Sequence, residues 1–233
     1  MKIVLTNDDG IDAPGLETLR DILAPEGVAI VVVAPRDPQS GVGHRVTTRT
    51  PLRVAPVGPG RFSVDGTPAD CVRIALKAVA PDADWIVAGI NPGANLGSDV
   101  YNSGTVAAAR EAAILGRPAI AISQYIARDQ TVDWALTGHH AQAVLARLLG
   151  QPLGRRSYWN VNLPHPLLVS QQLAQIVCAL DPHPHRYRFR QEGPEYHYDG
   201  TIHERPRQPG ADVDVCFGGA VAITRLAVTG EGC

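Results

Sequence analysis

The sequence predicts an α/β fold: a Rossmann-like, doubly wound parallel sheet followed by a β-rich C-terminal tail. Three observations carry that reading. Short apolar runs alternate with helix-type stretches up to about residue 165, the pattern of a parallel sheet wrapped by helices. One run, Val28 to Ala34, is continuous and β-branched, which suits a strand covered on both faces. Turn and cap residues stand at the joints, among them Pro14, Pro35, Thr67-Pro68, Gly116 and Pro164.

Taken in order, residues 2–6 read as a buried strand. A helix opens at Asp12-Ala13-Pro14, with Leu16, Leu19 and Leu23 on its apolar stripe. The strand Val28–Ala34 ends at Pro35, and a polar loop runs from Arg36 to His44. Residues 45–64 suit a pair of strands around a Pro56–Gly60 turn. Thr67-Pro68-Ala69-Asp70 is a helix start with a Thr cap, Pro at the first position and an acid at the third. Trp85 to Ile90 is the next strand, and Asn91 to Ser103 a loop rich in Gly and Asn. Thr105–Leu115 is helical, Ala119–Ser123 a strand, Val132–Leu149 a long helix with Val132, Leu136, Ala143, Val144 and Leu148 on one face. Tyr158–Val161 is a further strand. Beyond it the helical period fades. Val213–Phe217 and Ala220–Leu226 read as two short β runs. The expected organisation is a core over residues 1–165 and an extension over 166–233 that pairs with the core or with another subunit.

Composition narrows the function classes. The chain has 233 residues, 45% hydrophobic, and a formal charge of -2, with a mean hydropathy of -0.04. There is no basic excess to neutralise phosphates, so specific nucleic-acid binding is not expected. Cys71, Cys178, Cys216 and Cys233 lie far apart without a C-x-x-C pair, which signals neither zinc nor a redox dithiol. No apolar run is long enough to span a bilayer and no signal-peptide pattern precedes the first strand, so no membrane association and a cytoplasmic setting are expected. G-x-G-x-x-G after the first strand, G-x-x-x-x-G-K-[ST] and G-x-S-x-G are all absent, against a dinucleotide-binding unit, a P-loop NTPase and an α/β-hydrolase.

Four loops should meet at one sheet edge, because ligands bind outside the C-terminal ends of the strands in such folds. They carry Asn7-Asp8-Asp9, Gln39-Ser40-Gly41-Val42-Gly43-His44, Asn91-Pro92-Gly93-Ala94-Asn95-Leu96-Gly97, and Asn102-Ser103-Gly104-Thr105. Adjacent carboxylates repel unless a cation lies between them or both face water. Carboxylates, a hydroxyl and amide carbonyls are hard donors, suited to magnesium, manganese or calcium. Ser103-Gly104-Thr105 at a helix start offers backbone N–H groups to a phosphate. A hard cation beside an anion seat reads as metal-assisted phosphoryl chemistry. Plainer readings stand beside these. Asp-Asp-Gly is also an ordinary solvent turn, Ser103 and Thr105 also suit a cap, and Thr67 with Asp70 reads as a capping pair. His44 reads as a loop-fixing residue and remains a candidate acid or base. His165, His183, His185, His197 and His203 show no metal-ligand spacing.

With these loops in view the chain resembles the SurE family of survival proteins, which act as 5′/3′-nucleotidases. Five ordered blocks carry the resemblance: Thr6-Asn7-Asp8-Asp9-Gly10-Ile11; Ala34-Pro35 with Ser40-Gly41-Val42-Gly43-His44; Gly66-Thr67-Pro68-Ala69-Asp70-Cys71-Val72; Gly89-Ile90-Asn91-Pro92-Gly93-Ala94-Asn95-Leu96-Gly97; and Ser103-Gly104-Thr105-Val106-Ala107-Ala108-Ala109. The resemblance implies metal-dependent hydrolysis of nucleoside 5′-monophosphates, with 3′-monophosphates as further substrates. It implies magnesium or manganese held by Asp8, Asp9, Ser40 and Asn91, with Asp8 and Asp9 also in the catalytic role. Asn95, Ser103, Gly104 and Thr105 would hold the phosphate, and Asn7 is grouped with these substrate-binding residues. It further implies a homodimer or homotetramer in which the tail is exchanged between subunits. The sequence departs from the family pattern at Gln39, where Arg is common, at Asn102, where an aromatic or His often stands, and at Arg225, where Pro is usual. A nucleotide-sensing protein without turnover is the alternative from a different class.

Overall fold

The first strand, β1 (Lys2–Thr6), lies fourth from one edge of a nine-stranded sheet. The computed structural model describes residues 1–165, 172–200 and 202–228. Chain order within them is β1, α1 (Pro14–Leu23), β2 (Ala29–Pro35), β3 (Val54–Gly58), β4 (Arg61–Val64), α2 (Pro68–Ile74), β5 (Trp85–Pro92), α3 (Gly104–Ile114), β6 (Ala119–Gln124), α4 (Trp134–Leu149), β7 (Ser157–Leu163), β8 (Gln175–Val177), β9 (Phe189–Glu192), β10 (Glu195–Tyr198), α5 (Asp212–Phe217) and β11 (Val221–Ala227). The sheet order is β3-β4-β2-β1-β5-β6-β7-β11-β8, and β9 with β10 forms a separate hairpin.

β1 pairs in parallel with β2 on one side and β5 on the other. The chain first winds outward through β2 to the β3–β4 hairpin. It then crosses back through α2 to β5 and winds the other way. The strand order therefore reverses between β1 and β5, the crevice where doubly wound sheets bind ligands.

Side-chain alternation along β1 explains the two layers. Ile3 and Leu5 pack with Leu16 and Leu19 of α1 and with Val144 and Leu148 of α4. Val4 faces the other way, toward Cys71 and Val72 of α2 and Val106 and Ala109 of α3. Successive strand residues point to opposite faces, so β1 is covered twice. Each fully buried Leu or Ile here contributes about 1.5–3 kcal/mol. The helix α3 is lined by buried Ala107, Ala108, Ala109, Ala112 and Ala113. Such small side chains let its backbone lie close to the sheet. Gly15 does the same for α1: a Cβ there would stand 2.0 Å from the Ile90 carbonyl oxygen at the end of β5.

Several expectations shift. β2 is covered on both faces only toward its C-terminal end, since Ala29 is exposed and Ile30 and Val31 half-buried. The long helix starts at Trp134, not Val132, because the Asp133 carboxylate accepts the Leu136 N–H as its cap. Ala143 is exposed, and the buried stripe runs through His140, Ala141, Val144, Leu145 and Leu148. Thr67 and Asp70 form a reciprocal capping box, and both Asp70 oxygens are further occupied by Thr47. That pair is structural.

The tail corrects the reading most. Val213–Phe217 is not a strand but lies in α5. The buried Asp212 carboxylate starts that helix, accepting N–H groups from Gly97, Asp181 and Val213. The second β run keeps its strand as β11 and pairs with the core: antiparallel with β7 over Ala222–Ala227 and parallel with β8. Val213, Val215 and Cys216 pack with Leu96 and Tyr125 in a third cluster, which ties α5 to the loop after β5. The sheet thus continues across residue 165.

Candidate active site

Backbone hydrogen bonds draw the four loops together. The Gln39 N–H donates to the Asp8 carbonyl at 2.7 Å, and Gly43 to that of Asn102 at 3.1 Å. The Asn102 and Ser103 N–H groups both reach the Asp99 carbonyl at 3.0 Å. A register irregularity between Ala88 and Asn91 precedes the pairing of Asn91 with Ser123 of β6. Together these place Asp8, Asp9, Ser40, Asn91, Asn95 and Ser103 around one cavity of about 390 Å³.

Asp8 is almost fully buried and held from above by α3. Thr105 Oγ1 donates a short hydrogen bond to Asp8 Oδ1. Gly104 presses against the same carboxylate: a Cβ there would stand 2.8 Å from Asp8 Cβ and 2.9 Å from Oδ2. Only a residue without a side chain lets the helix start approach so closely. Burial pushes the Asp8 carboxyl upward from its ordinary value, opposed by the Thr105 hydroxyl and backbone N–H groups. Burial also pushes Asp9 up to about 7, with a smaller contribution from the Asp8 charge. Asp9 Oδ2 is buried without a hydrogen-bond partner among the described residues.

These observations fit a cation. An orphaned carboxylate oxygen beside a second buried carboxylate is the electrostatic situation a divalent ion relieves. Asn91 uses its amide Nδ2 on the Gly93 carbonyl at 2.6 Å, which leaves its carbonyl oxygen as the atom that can coordinate. Ser40 is exposed at the rim. No three His, Cys, Asp or Glu side chains gather as metal ligands among the described residues. A cation here would rest on two carboxylates and neutral oxygens, the donor set of a hard ion.

The other expected residues separate by role. Ser103 Oγ accepts the Val106 N–H at 3.1 Å and so caps α3. The first N–H groups of α3, at Gly104 and Thr105, face the Asp8 carboxylate, and neither residue is among those lining the cavity. Asn95 lines the cavity and is braced on both sides: its Nδ2 donates to Ser123 Oγ at 2.8 Å, and its N–H donates to Asn162 Oδ1 at 2.8 Å. Asn7 is buried and staples its own loop, donating to the Gly10 carbonyl at 2.8 Å and accepting the Gly10 N–H at 3.3 Å. It is not among the lining residues. His44 pairs with buried Glu111 at 2.8 Å and meets Arg110 at 3.3 Å, also away from the cavity lining.

The cavity has a second wall that spacing did not reveal: Asp99, Asn102, His185, Tyr187 and Tyr198. His185 Nε2 meets Asp99 Oδ1 across 86 positions of chain. Arg205, buried, donates from Nη1 to Asp99 Oδ2 at 2.7 Å. The Asp99 carboxylate also accepts the Leu96 N–H at 3.2 Å. The one available signal was the richness of the tail in Tyr and His, which gives no position.

The fold and cavity together define a Rossmann-like α/β protein with paired aspartates and a helix N-terminus at its switch point. Comparison with known proteins takes the assignment further. The family model described as "Survival protein SurE" matches residues 3–181, and the chain belongs to that family. A Synechocystis sp. relative named "Putative 5'-nucleotidase" is 49% identical over 98% of this chain and 100% of its own length. A Paramagnetospirillum magneticum protein named 5'-nucleotidase SurE is 39% identical over 97% of this chain and 89% of its own. The crystal structure of a SurE protein from Aquifex aeolicus superposes with a TM-score of 0.87 at 29% identity, covering 100% of this chain and 95% of that one.

Proposed function

We propose that the chain is a metal-dependent 5'-nucleotidase that hydrolyses nucleoside 5'-monophosphates to nucleoside and phosphate, and 3'-monophosphates as well. The observation that carries this reading is the aspartate pair: Asp8 buried against the N-terminus of α3, and half-buried Asp9 beside it with an orphaned oxygen. Names of relatives at up to 49% identity support the same substrate class.

Asp8, Asp9, Ser40 and Asn91 would hold magnesium or manganese, which supplies positive charge for the phosphate and acidifies a water. The chain's own residues do the rest. Gly104 and Thr105, whose backbone N–H groups face the Asp8 carboxylate, would share them with the phosphoryl oxygens, where charge builds in the transition state. Asn95, fixed by Ser123 and Asn162, offers a second polar contact. Asp8 is committed to Thr105 and to packing under Gly104, so its part is to fix the site. Asp9, the more exposed of the two carboxylates, would take a proton from the attacking water.

No helix among the described residues is long and apolar enough to cross a membrane. A cytoplasmic location belongs to this proposal and is supported by the unpaired thiols of Cys71, Cys178 and Cys216. So does assembly as a homodimer or homotetramer, supported by Phe189 and Tyr196, which stand 59% and 66% exposed on the β9–β10 hairpin. A monomer on analytical ultracentrifugation would remove that part.

The activity test is phosphate release from a panel of 5'- and 3'-monophosphates after EDTA, then with magnesium or manganese restored. We expect release that depends on the metal, and a loss of about 1000-fold in Asp8→Asn, comparable to removing a main transition-state contact. Nucleotide binding with no release under any metal would replace the enzyme reading by a nucleotide sensor.

A further inference from the structure

The cavity is built from two chemically different walls. The sheet-end wall is polar and anionic, with Asp8, Asp9, Ser40 and Asn91. The other wall comes from the tail and is aromatic, with His185, Tyr187 and Tyr198 among the lining residues. The rings form a chain: His185 and Tyr187 have centroids 5.7 Å apart, and Tyr187 and Tyr198 6.4 Å apart. Tyr187 is 58% exposed and Tyr198 54%, so most of each ring meets solvent beside the polar site.

That wall is anchored. His185 is tied to Asp99, and Asp99 is held by buried Arg205 at 2.7 Å. The Arg205 side chain is 1% exposed. Its Nη2 lies against Gly97, where a Cβ would come within 2.9 Å of it. Asp181 closes the tail segment on itself, accepting the N–H groups of His183 at 2.9 Å and Gln208 at 2.6 Å. A charged, buried tether therefore fixes the segment that bears the exposed tyrosines. Solvent exposure of two tethered aromatic faces beside a phosphate-type site needs an occupant with a π-face of its own.

We infer that Tyr187 and Tyr198, held in place through His185, Asp99 and Arg205, form the stacking wall for the nucleobase of the substrate. This inference rests on the nucleotidase reading for the identity of the substrate. The phosphate end is bound at the aspartates and α3, and the base lies across the cavity on the tail. Stacking accepts any base, because every base has a π-face. The wall therefore selects nucleotides over base-less phosphate esters without reading the base edge.

The test compares adenosine 5'-monophosphate with ribose 5-phosphate in the wild type, Tyr187→Ala, Tyr198→Ala and the double variant. Truncating stacked aromatics should lower kcat/KM for the nucleotide about 10-fold in the double variant. The loss should fall mainly on KM, with ribose 5-phosphate changed less than about 2-fold. Tyr→Phe at both positions should restore the nucleotide preference. Equal loss on both substrates, or no loss on the nucleotide, would overturn the inference. A change in sedimentation with an unchanged substrate ratio would assign the tyrosines to a subunit interface instead. Adenosine binding, followed by titration calorimetry without metal, gives a readout independent of turnover. If the wild type releases no phosphate from any substrate, the nucleotidase reading fails. The stacking wall then stands or falls on whether the double variant weakens adenosine binding.

Discussion

The two walls of the cavity are made by different physics. The sheet-end wall is a product of backbone geometry. Strand ends, a helix start and two glycines bring Asp8 and Asp9 into position, and the side chains have little room to move. The tail wall is a product of long-range ion pairs. Asp99 and Arg205 are 106 positions apart in the chain, and the rings they support are half exposed. The difference separates tasks. A geometry that must hold reacting atoms is placed on strands and a helix, whereas a surface that must admit different bases hangs on a tethered segment.

The comparison can be broken at its rigid end first. Gly104→Ala would drive a methyl into Asp8, and a displacement of this kind costs about 100-fold in kcat. Steady-state kinetics with saturating metal should show it, while thermal melting shows a folded protein. Activity within a few-fold of wild type would mean that Asp8 does not need its seat under α3.

The tail end should respond differently. Arg205→Met removes the partner of Asp99 and loosens the His185–Tyr187 segment. We expect KM for nucleotides to rise about 10-fold with kcat nearly unchanged, the signature of lost uniform binding. A fall in kcat with constant KM would erase the division between the walls.

The smallest effect concerns stability. In the cation-free protein Asp9 has a carboxyl raised from 3.8 to about 7. Between those values Asp9 binds more protons in the folded state than in the unfolded one, so its contribution to stability falls as pH rises through this window. Asp8 is shifted the same way. Asp9→Asn should flatten the decline and stabilise the cation-free protein near neutral pH by about 1–3 kcal/mol, measured by urea denaturation at several pH values. A wild-type-minus-variant stability difference that does not fall from pH 4 to 7 would contradict the raised carboxyl.

Much of the rigid wall was legible in the sequence, for a physical reason. Strand ends carry their own punctuation, and Asp8, Ser40, Asn91 and Ser103 each sit within a few residues of an apolar run. Asn7 and His44 show the limit of that logic. Both stand in the right loops, yet each is consumed by another partner, Gly10 in its own loop for Asn7 and Glu111, 67 positions away on α3, for His44. The tail wall was not legible. His185 and Tyr187 acquire their place only through Asp99 and Arg205, and pairings that distant leave no periodic mark. The α5 segment misled for another reason. Val213, Val215 and Phe217 alternate like a strand, but six residues are too few to display a 3.6-residue period. The buried carboxylate of Asp212 anchors the segment, and two of its three donors, Gly97 and Asp181, come from outside it.

Gly15 has a bearing on how this architecture tolerates change. Its missing side chain sets the gap between the first turn of α1 and the Ile90 carbonyl, one residue before Asn91. The loop bearing Asp8 and Asp9 leads into α1 on one side of that gap, and Asn91 lies on the other. A single hydrogen atom on α1 thus acts as a spacer between the first and third strand-end loops. A larger residue at position 15 would widen the jaws of the site from behind, without touching any group that faces the substrate.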